Sequence, residues 1–227
     1  MYKIELHLHT ALVSPCGKLS ASEIADGYAA AGYDGVVVTD HYKRKTFEYI
    51  GIDPSDSTVD RLGAFLAGYE AVCAECEKRG IRVYRGAEIT FDGSPNDYLV
   101  FGWPDSLLAD PEKVISMGLA DFSAESRKAG ALLVQAHPYR GRCTPADPEY
   151  LDGAEVLNAH PRHDDKNSDA LAFAEKNCLI KTAGSDCHRT EDIGRAGILC
   201  ETLPTDEEEL VRIIRSGDYT IFGKDTP

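Results

Sequence analysis

Two histidines lie two residues apart in the apolar run ELHLHT at residues 5–10. Side chains alternate between the faces of a β-strand, so the spacing places His7 and His9 on one face and Leu6 and Leu8 on the other. Two imidazoles on one face near a strand end can bind a single divalent cation. Two polar residues on the solvent side of an amphipathic strand would have the same spacing. The other histidines decide between these two interpretations.

The chain contains seven histidines, and each of them follows a run that is predicted to form a strand. In parallel α/β barrels, catalytic groups lie at the C-terminal ends of strands and in the loops after them. Random placement would leave most histidines on helix surfaces or in other loops. The pattern therefore indicates one shared centre for several metal ions at the mouth of a barrel. The histidines are His7, His9, His41, His137, His160, His163 and His188.

Short apolar runs alternate with longer periodic segments, which is typical of β-α-β units and a largely parallel sheet. Seven or eight such units fit a barrel better than a two-layer sheet, so we predict a single α/β domain that spans residues 1–227. Ser20 and Glu23 have the spacing of a helix capping box. Residues 43–58 are predicted to be irregular, either covering a site or simply solvated. Strands are predicted at residues 2–6, 35–39, 82–87, 98–102, 131–136, 154–157, 179–183 and 197–200, and helices at residues 20–31, 59–79, 119–128, 167–176 and 206–215.

Two carboxylates complete the predicted ligand set. Glu88 ends the apolar run 81–87, and Asp186 begins the triplet Asp186-Cys187-His188, which repeats the His-x-His spacing with one ligand exchanged. A carboxylate can bridge two cations, and imidazole together with carboxylate suits Zn²⁺, Mn²⁺ or Fe²⁺. Cations paired about 3.5–4 Å apart can hold both the attacking and the leaving oxygen of a displacement reaction.

Charge and cysteine content narrow the class of protein. A net charge of −14 argues against long nucleic acid as the main partner, because such surfaces need clustered Lys and Arg. The seven cysteines are scattered and odd in number, which favours reduced thiols and a cytoplasmic location over a disulfide framework. The first residues lead straight into a predicted strand, and no apolar run approaches the length of a membrane span, so we expect neither a secretory signal nor a membrane anchor.

The ordered set of motifs resembles the PHP family, the polymerase and histidinol phosphatase domain. The resemblance covers residues 7–188 and implies a distorted (β/α)7 TIM-like barrel, two or three divalent metal ions and phosphoester hydrolysis by a metal-activated hydroxide. It also implies that the substrate is a small phosphomonoester, with histidinol phosphate, nucleotides and sugar phosphates as examples. The motifs are His7-x-His9-Thr10, Thr39-Asp40-His41, Glu88, His137-Pro138 and Gly184-Ser185-Asp186-x-His188.

The resemblance assigns roles to individual positions. The first metal would be bound by His7, His9, Glu88 and Asp186. Glu88 would bridge to a second metal that is also bound by His137. A third metal would be bound by His41 and His188, while Asp40 would orient a neighbouring ligand.

The sequence departs from the family pattern at two positions. Cys16 stands in the loop after His9, where relatives commonly have an aspartate or a histidine, so it is predicted either to ligate the third metal or simply to pack. After Glu88, many relatives have a histidine at the start of the next strand, and Asp97 is the nearest substitute here. His160, from another strand end, is the rival candidate for that ligand.

Arginines close to the predicted ligands indicate an anionic substrate, because guanidinium groups bind phosphate in a bidentate manner. Arg140 and Arg162 are the first predicted contacts, followed by Arg189 and Arg195. Proton transfer is assigned to Asp186, His188 and His163, with Glu88 as the fourth catalytic residue, and His163 is the candidate for protonating the leaving group.

Three other functions remain open from the sequence. Amidohydrolase-type enzymes that cleave C–N or C–O bonds also begin with His-x-His, but they usually use a lysine or its carbamate as the bridge where this chain has Glu88. A non-catalytic, metal-stabilised regulatory domain would be expected to have lost ligands, yet the core set is present. A nuclease that acts on short oligonucleotides is the fourth possibility.

Overall fold

Runs rich in Val, Ile and Leu form a barrel-like sheet in this computed structural model, which describes residues 1–223 of the chain. Such residues favour strands because their side chains pack well on a pleated, buried surface. The ten strands of this part of the chain are β1 (Tyr2–Leu8), β2 (Gly35–Val38), β3 (His41–Tyr42), β4 (Arg82–Thr90), β5 (Asp97–Phe101), β6 (Leu132–Gln135), β7 (Gly153–Asn158), β8 (Ile180–Gly184), β9 (Ala196–Cys200) and β10 (Tyr219–Gly223).

The sheet is nearly closed into a barrel. Its strands are ordered β10-β9-β1-β2-β4-β5-β6-β7-β8, with β3 paired to β4. The chain just after β8 returns to β1, where the His9 amide donates to the Cys187 carbonyl at 2.9 Å and the Cys187 amide donates to the His7 carbonyl at 3.0 Å. Strands β1, β2 and β4 to β8 thus surround one axis, while β9 and β10 extend the sheet beyond β1. The predicted α/β barrel is confirmed.

Helices connect most of the parallel strands. Ser20 caps the first helix, and both hydrogen bonds of the predicted capping box with Glu23 are present. None of the helices within residues 1–223 has the length and apolar character needed to cross a bilayer. The predicted irregular segment at residues 43–58 contains one short helix. The helices are α1 (Ala21–Ala30), α2 (Arg44–Tyr49), α3 (Arg61–Glu77), α4 (Asp105–Leu108), α5 (Pro111–Met117), α6 (Leu119–Lys128), α7 (Asn167–Lys176) and α8 (Glu207–Ser216).

The sheet is largely parallel, as predicted, and β5 and β9 are exceptions. Strand β5 pairs antiparallel with both β4 and β6, and β9 pairs antiparallel with β1 and β10. The cause at β5 is the connection, since only residues 91–96 separate it from β4, too few for a crossover helix. The reversal places the first residue of β5, Asp97, beside the C-terminal end of β4.

Apolar side chains from the helices seal the outside and the base of the barrel. On one side, Tyr28 of α1 and Val72 of α3 pack against Val36 and Val38 of β2. At another face, Leu210 and Ile214 of α8 join a cluster of strand residues. This packing fixes the strand ends that hold the polar residues described next.

Candidate metal centre

The predicted ligands come from separate strand ends and meet at one mouth of the barrel. Two of them are set by the pairing of strands, because His41 of β3 lies directly opposite Glu88 of β4. The pairing of β1 with β2 shifts register between Glu5 and Leu8, next to His7. Such irregularities commonly re-aim side chains beside active sites. The ligands brought together are His7, His9, His41, Glu88, His137, Asp186 and His188.

The Glu88 carboxylate lies at the centre of this cluster. Its Oε1 is 3.3 Å from Nε2 of His7 and 3.2 Å from Nε2 of His137. Its Oε2 is 2.6 Å from Nδ1 of His41 and 3.4 Å from Nε2 of His9. Each carboxylate oxygen therefore faces a different pair of histidines, which is the arrangement required of a bridging ligand.

Asp186 closes the other side of the same cluster. Its Oδ1 lies 3.4 Å from Nε2 of His7 and 3.2 Å from Nε2 of His9, and these two nitrogens are 3.1 Å apart. The Nδ1 of His188 lies 3.4 Å from the same Oδ1. The set assigned to the first metal, His7, His9, Glu88 and Asp186, thus converges on one point.

Cys16 lies beside the ligands assigned to the third metal. The rings of His41 and His188 each stack on His9 with centroids 4.4 Å apart. Burial raises the pKa of the Cys16 thiol, but the neighbouring imidazoles of His188 and His41 outweigh it and lower the pKa to about 6. The group contains a sulfur that is readily ionised beside two imidazoles.

The chemistry of the donor set fits divalent cations. Nδ1 of His41 and Oε2 of Glu88 are buried but have no hydrogen bond of acceptable geometry. Burial raises the pKa of Glu88, yet His41 and His7 outweigh it and hold the pKa well below its usual value. Burial, followed by the neighbouring His188 and His41, lowers the pKa of His9 well below its usual value. The neighbouring carboxylates outweigh burial and raise the pKa of His7 and of His41, so a cation that binds here would displace protons from these imidazoles and pair with ionised carboxylates.

Two of the ligands have an unusual backbone. His137 has a φ of 27° and Asp186 a φ of 49°, in the left-handed region that residues other than glycine rarely adopt. Such strain persists where the surroundings fix it, and it clusters at functional sites. Here the His137 amide donates to Glu155 at 3.0 Å, which helps to hold the strained turn.

Two buried glutamates behind the histidines were not predicted from the sequence. Glu155 of β7 accepts from Nδ1 of His7 at 2.9 Å, and Glu5 of β1 accepts from the amides of His7 and Ser185 at 3.0 and 2.8 Å. Burial raises the pKa of Glu5 to about 7. A glutamate within an otherwise apolar strand was the available signal, because such residues are rarely buried without a partner. A carboxylate behind a metal-binding histidine orients the ring and fixes its tautomer.

Asp40 supports the ligands instead of joining them. Its carboxylate accepts from the Thr10 amide at 2.7 Å, from the Thr10 hydroxyl at 2.8 Å and from Ser14 at 2.7 Å. Ser14 Oγ in turn accepts from the His41 amide at 3.0 Å and lies 3.4 Å from Nδ1 of His9. This agrees with the orienting role that the family resemblance implies for Asp40.

A cavity of about 400 Å³ opens above the cluster. Asp97, His160 and His163 line it together with several ligands, and so do Lys43 and Arg189. Among residues 1–223, Lys43 has no carboxylate partner, and Arg189 only approaches Glu191 at 4.0 Å. Of the cationic side chains that line the cavity, Lys43 and Arg189 therefore have the fewest ion-pair partners.

Other predicted arginines are already bound to carboxylates. Arg140 donates to Asp165, to Asp186 at 2.5 Å and to Asn158 at 2.7 Å, so its guanidinium braces a ligand. Arg162 makes a bidentate pair with Asp192, with both distances 2.7 Å.

His160 lies at the cavity, whereas Arg195 lies outside it. Arg162 also lies 3.0 Å from Nε2 of His160, and burial lowers the pKa of that imidazole to about 3. Arg195 is not among the residues that line the cavity, and its Nε donates to the Ala159 carbonyl at 2.7 Å. Its contacts are those of a residue that stabilises the loop after β7.

Sequence comparison identifies the family. The profile of the PHP domain matches residues 5–188, and a PHP-associated profile matches residues 164–219. The chain therefore belongs to the PHP family, whose members are metal-dependent hydrolases that include phosphoesterases. A comparison with curated proteins returned no match.

Solved structures share the fold at low sequence identity. A two-domain protein from Bacteroides vulgatus, containing a predicted PHP-like metal-dependent phosphoesterase, is 18% identical with a TM-score of 0.70, over 98% of this chain and 64% of that one. An amidohydrolase from Chromobacterium violaceum with bound sulfate is 18% identical with a TM-score of 0.58, over 97% and 98%. The lesion-specific endonuclease EndoQ from Pyrococcus furiosus is 14% identical with a TM-score of 0.62, over 97% and 57%.

Proposed function

We propose that this chain is a phosphatase that hydrolyses a small phosphomonoester, such as histidinol phosphate, a nucleotide or a sugar phosphate. The observation that supports the proposal most is the position of the Glu88 carboxylate, which faces four histidines at 2.6–3.4 Å at the base of the cavity. The metal ions proposed are two or three of Zn²⁺, Mn²⁺ or Fe²⁺. The location proposed is the cytoplasm, which agrees with seven free thiols.

The ligands are proposed to divide between the cations as the family resemblance implies. His7, His9, Glu88 and Asp186 hold the first, Glu88 and His137 the second, and His41 and His188 the third. When bound, such cations polarise phosphoryl oxygens and lower the pKa of a water toward about 7.

Other residues that line the cavity are proposed to bind and orient the substrate. Lys43 and Arg189 provide positive charge for the phosphoryl group, while Arg140 holds Asp186 in place. Burial first, and then the charge of Arg140, lowers the pKa of His163. A bound phosphate dianion would oppose this effect and raise the pKa of His163, so that its imidazole can donate a proton to the leaving oxygen.

The size and charge of the site favour a small monoester over the alternatives. The cavity of about 400 Å³ lies within the range of small-molecule sites. The net charge of −14 disfavours a long polyanion. The structural neighbour described as an amidohydrolase binds sulfate, an anion with the tetrahedral shape of phosphate. That likeness supports an oxyanion pocket in this fold even where the named reaction cleaves a C–N bond.

A phosphate-release screen tests the proposal. The metal-loaded protein is assayed on phosphomonoesters, on a phosphodiester, on short oligonucleotides and on N-acyl substrates, with Glu88→Gln as the site variant and Glu201→Gln, an exposed carboxylate, as the control. We expect monoester turnover in the wild type and the control, and a loss of more than about 100-fold in Glu88→Gln, because a bridging ligand matters more than the residues behind it. Preferred cleavage of oligonucleotides or amides would refute the assignment.

A further inference from the structure

We infer that Cys143 is a sulfur ligand of the cation held at His137. The inference rests on the proposed metal centre and deepens it, since it assigns a donor that the family pattern does not supply. One ligand atom each of Asp97, His137 and Cys143 lies within 4.8 Å of the other two. Within this group, Asp97 stands where the family pattern often has a histidine.

The three side chains face one another across two different loops. The Cys143 Sγ is 4.0 Å from Nδ1 of His137, and Oδ2 of Asp97 is 4.0 Å from Nε2 of the same ring. The Nε2 of His137 is also the atom that faces Glu88, at 3.2 Å. The sulfur therefore lies on the Nδ1 side of the His137 ring, whereas Glu88 and Asp97 face Nε2. A cation bound by all of these groups would require the thiol to turn toward Nε2, over a separation within the 4.8 Å that joins the three ligand atoms.

The Asp97 carboxylate is held with one oxygen free. Thr90, opposite Asp97 in the β4–β5 pair, donates its hydroxyl hydrogen to Oδ1. This contact leaves Oδ2 as the oxygen that faces His137. A carboxylate fixed by one oxygen loses little further entropy when the other binds a cation.

The loop that contains Cys143 is fixed in place by side-chain amides. Asn96 pairs with the backbone of Thr144, donating to its carbonyl at 2.9 Å and accepting from its amide at 3.0 Å. Gln135 donates to the same carbonyl at 2.8 Å and accepts from the Ala146 amide at 2.9 Å. On the other side, the Cys143 amide donates to the Arg140 carbonyl at 2.8 Å. The thiol is thereby anchored beside His137 by the residues on both of its sides.

A thiolate at this position would set the preference for the metal. The thiol donates to the Pro95 carbonyl at 3.2 Å, and on binding a cation it would release that proton to solvent and donate a sulfur electron pair. Thiolate is a soft ligand that suits Zn²⁺ or Fe²⁺, whereas Mn²⁺ and Mg²⁺ prefer oxygen. The site is therefore expected to select zinc over manganese.

Cobalt substitution tests the inference independently of activity. Cobalt(II) shows a sulfur-to-metal charge-transfer band in the near ultraviolet only when a thiolate is bound, and visible bands report its binding in any case. Because Cys16 is a second candidate thiolate, the test is made in a Cys16→Ser background, with and without Cys143→Ser. Cys178→Ser, which removes an exposed thiol, serves as the matched control. Circular dichroism of the metal-free variants checks the fold.

We expect the charge-transfer band in Cys16→Ser and in Cys16→Ser/Cys178→Ser, and its loss in Cys16→Ser/Cys143→Ser. Zinc affinity, measured by chelator competition, should fall by about ten-fold or more in Cys143→Ser, with manganese affinity less affected. A Cys16→Ser protein that shows the visible bands but no charge-transfer band would overturn the assignment of Cys143 and leave the metal centre intact. Failure of the wild type to bind cobalt at all would instead refute the metal centre, and this inference with it.

Discussion

The buried Glu155 provides the sharpest test of how the centre is built. Its Oε1 accepts from Nδ1 of His7 at 2.9 Å, and its Oε2 accepts from the His137 amide at 3.0 Å and from Asn158 at 2.8 Å. All of these partners are donors, so only a carboxylate satisfies them. In Glu155→Gln, the new NH₂ group would face a donor if it pointed at the His137 amide. If it pointed at Nδ1 of His7, the ring proton would have to move to Nε2, the nitrogen that faces Glu88 and Asp186.

The size of the effect follows from the bond to His7. A hydrogen bond to a charged group contributes about 1.5–3 kcal/mol. If that energy is lost from the metal-bound state, metal affinity falls by roughly 10- to 150-fold, at about 1.4 kcal/mol per ten-fold change. Measured losses for carboxylates behind metal-binding histidines, about 10- to 100-fold, lie in the same range.

The assay is zinc binding to the metal-free protein by competition with a fluorescent chelator. Glu208→Gln, an exposed glutamate of α8, is the matched control and should bind as the wild type does. A thermal melt of both variants confirms that they are folded. Zinc affinity of Glu155→Gln within two-fold of the wild type would refute the view that Glu155 fixes the tautomer of His7.

Three further predictions concern the same region. Arg140→Met should lower the free energy of unfolding by about 3–5 kcal/mol in urea titrations, because it removes the guanidinium that pairs with the buried carboxylates of Asp165 and Asp186. An unchanged stability with a raised KM would instead make Arg140 a substrate contact. Gly184→Ala should weaken metal binding in chelator competition, because its Cβ would lie 2.4 Å from Cβ of His7, and unaltered affinity would contradict this. Zinc at about 100 times its dissociation constant should stabilise the protein by about 2.7 kcal/mol and raise Tm by about 5–11 °C in calorimetry, whereas a constant Tm would argue against a specific site.

The sequence predicted the positions of the ligands because parallel strands end at the same edge of a barrel. His41, Glu88 and His137 follow strands that were visible as apolar runs, and the structure brings them together. The direction of β5 was not visible, because an apolar run has the same composition in either orientation. That direction is what places Asp97 beside His137.

Electrostatic partners across the barrel were also beyond the reach of sequence patterns. Arg140 was predicted to contact the substrate, yet its guanidinium is bound to Asp165, Asp186 and Asn158. Local spacing shows that an arginine is near a ligand, but it does not show which carboxylates come from other strands. Whether an arginine binds those carboxylates or a substrate depends on how the loops pack in the folded protein.

The sequence by itself determined the barrel and the family of this protein and predicted its metal ligands, because these depend on periodicity and on the order of motifs along the chain. The tertiary structure alone decided which groups stand behind and beside those ligands. Glu155 reaches His7 across 148 residues of sequence, and Cys143 reaches the cluster through a loop fixed by Asn96. Contacts of this kind arise from closure of the barrel and from the docking of loops, and no local spacing encodes them.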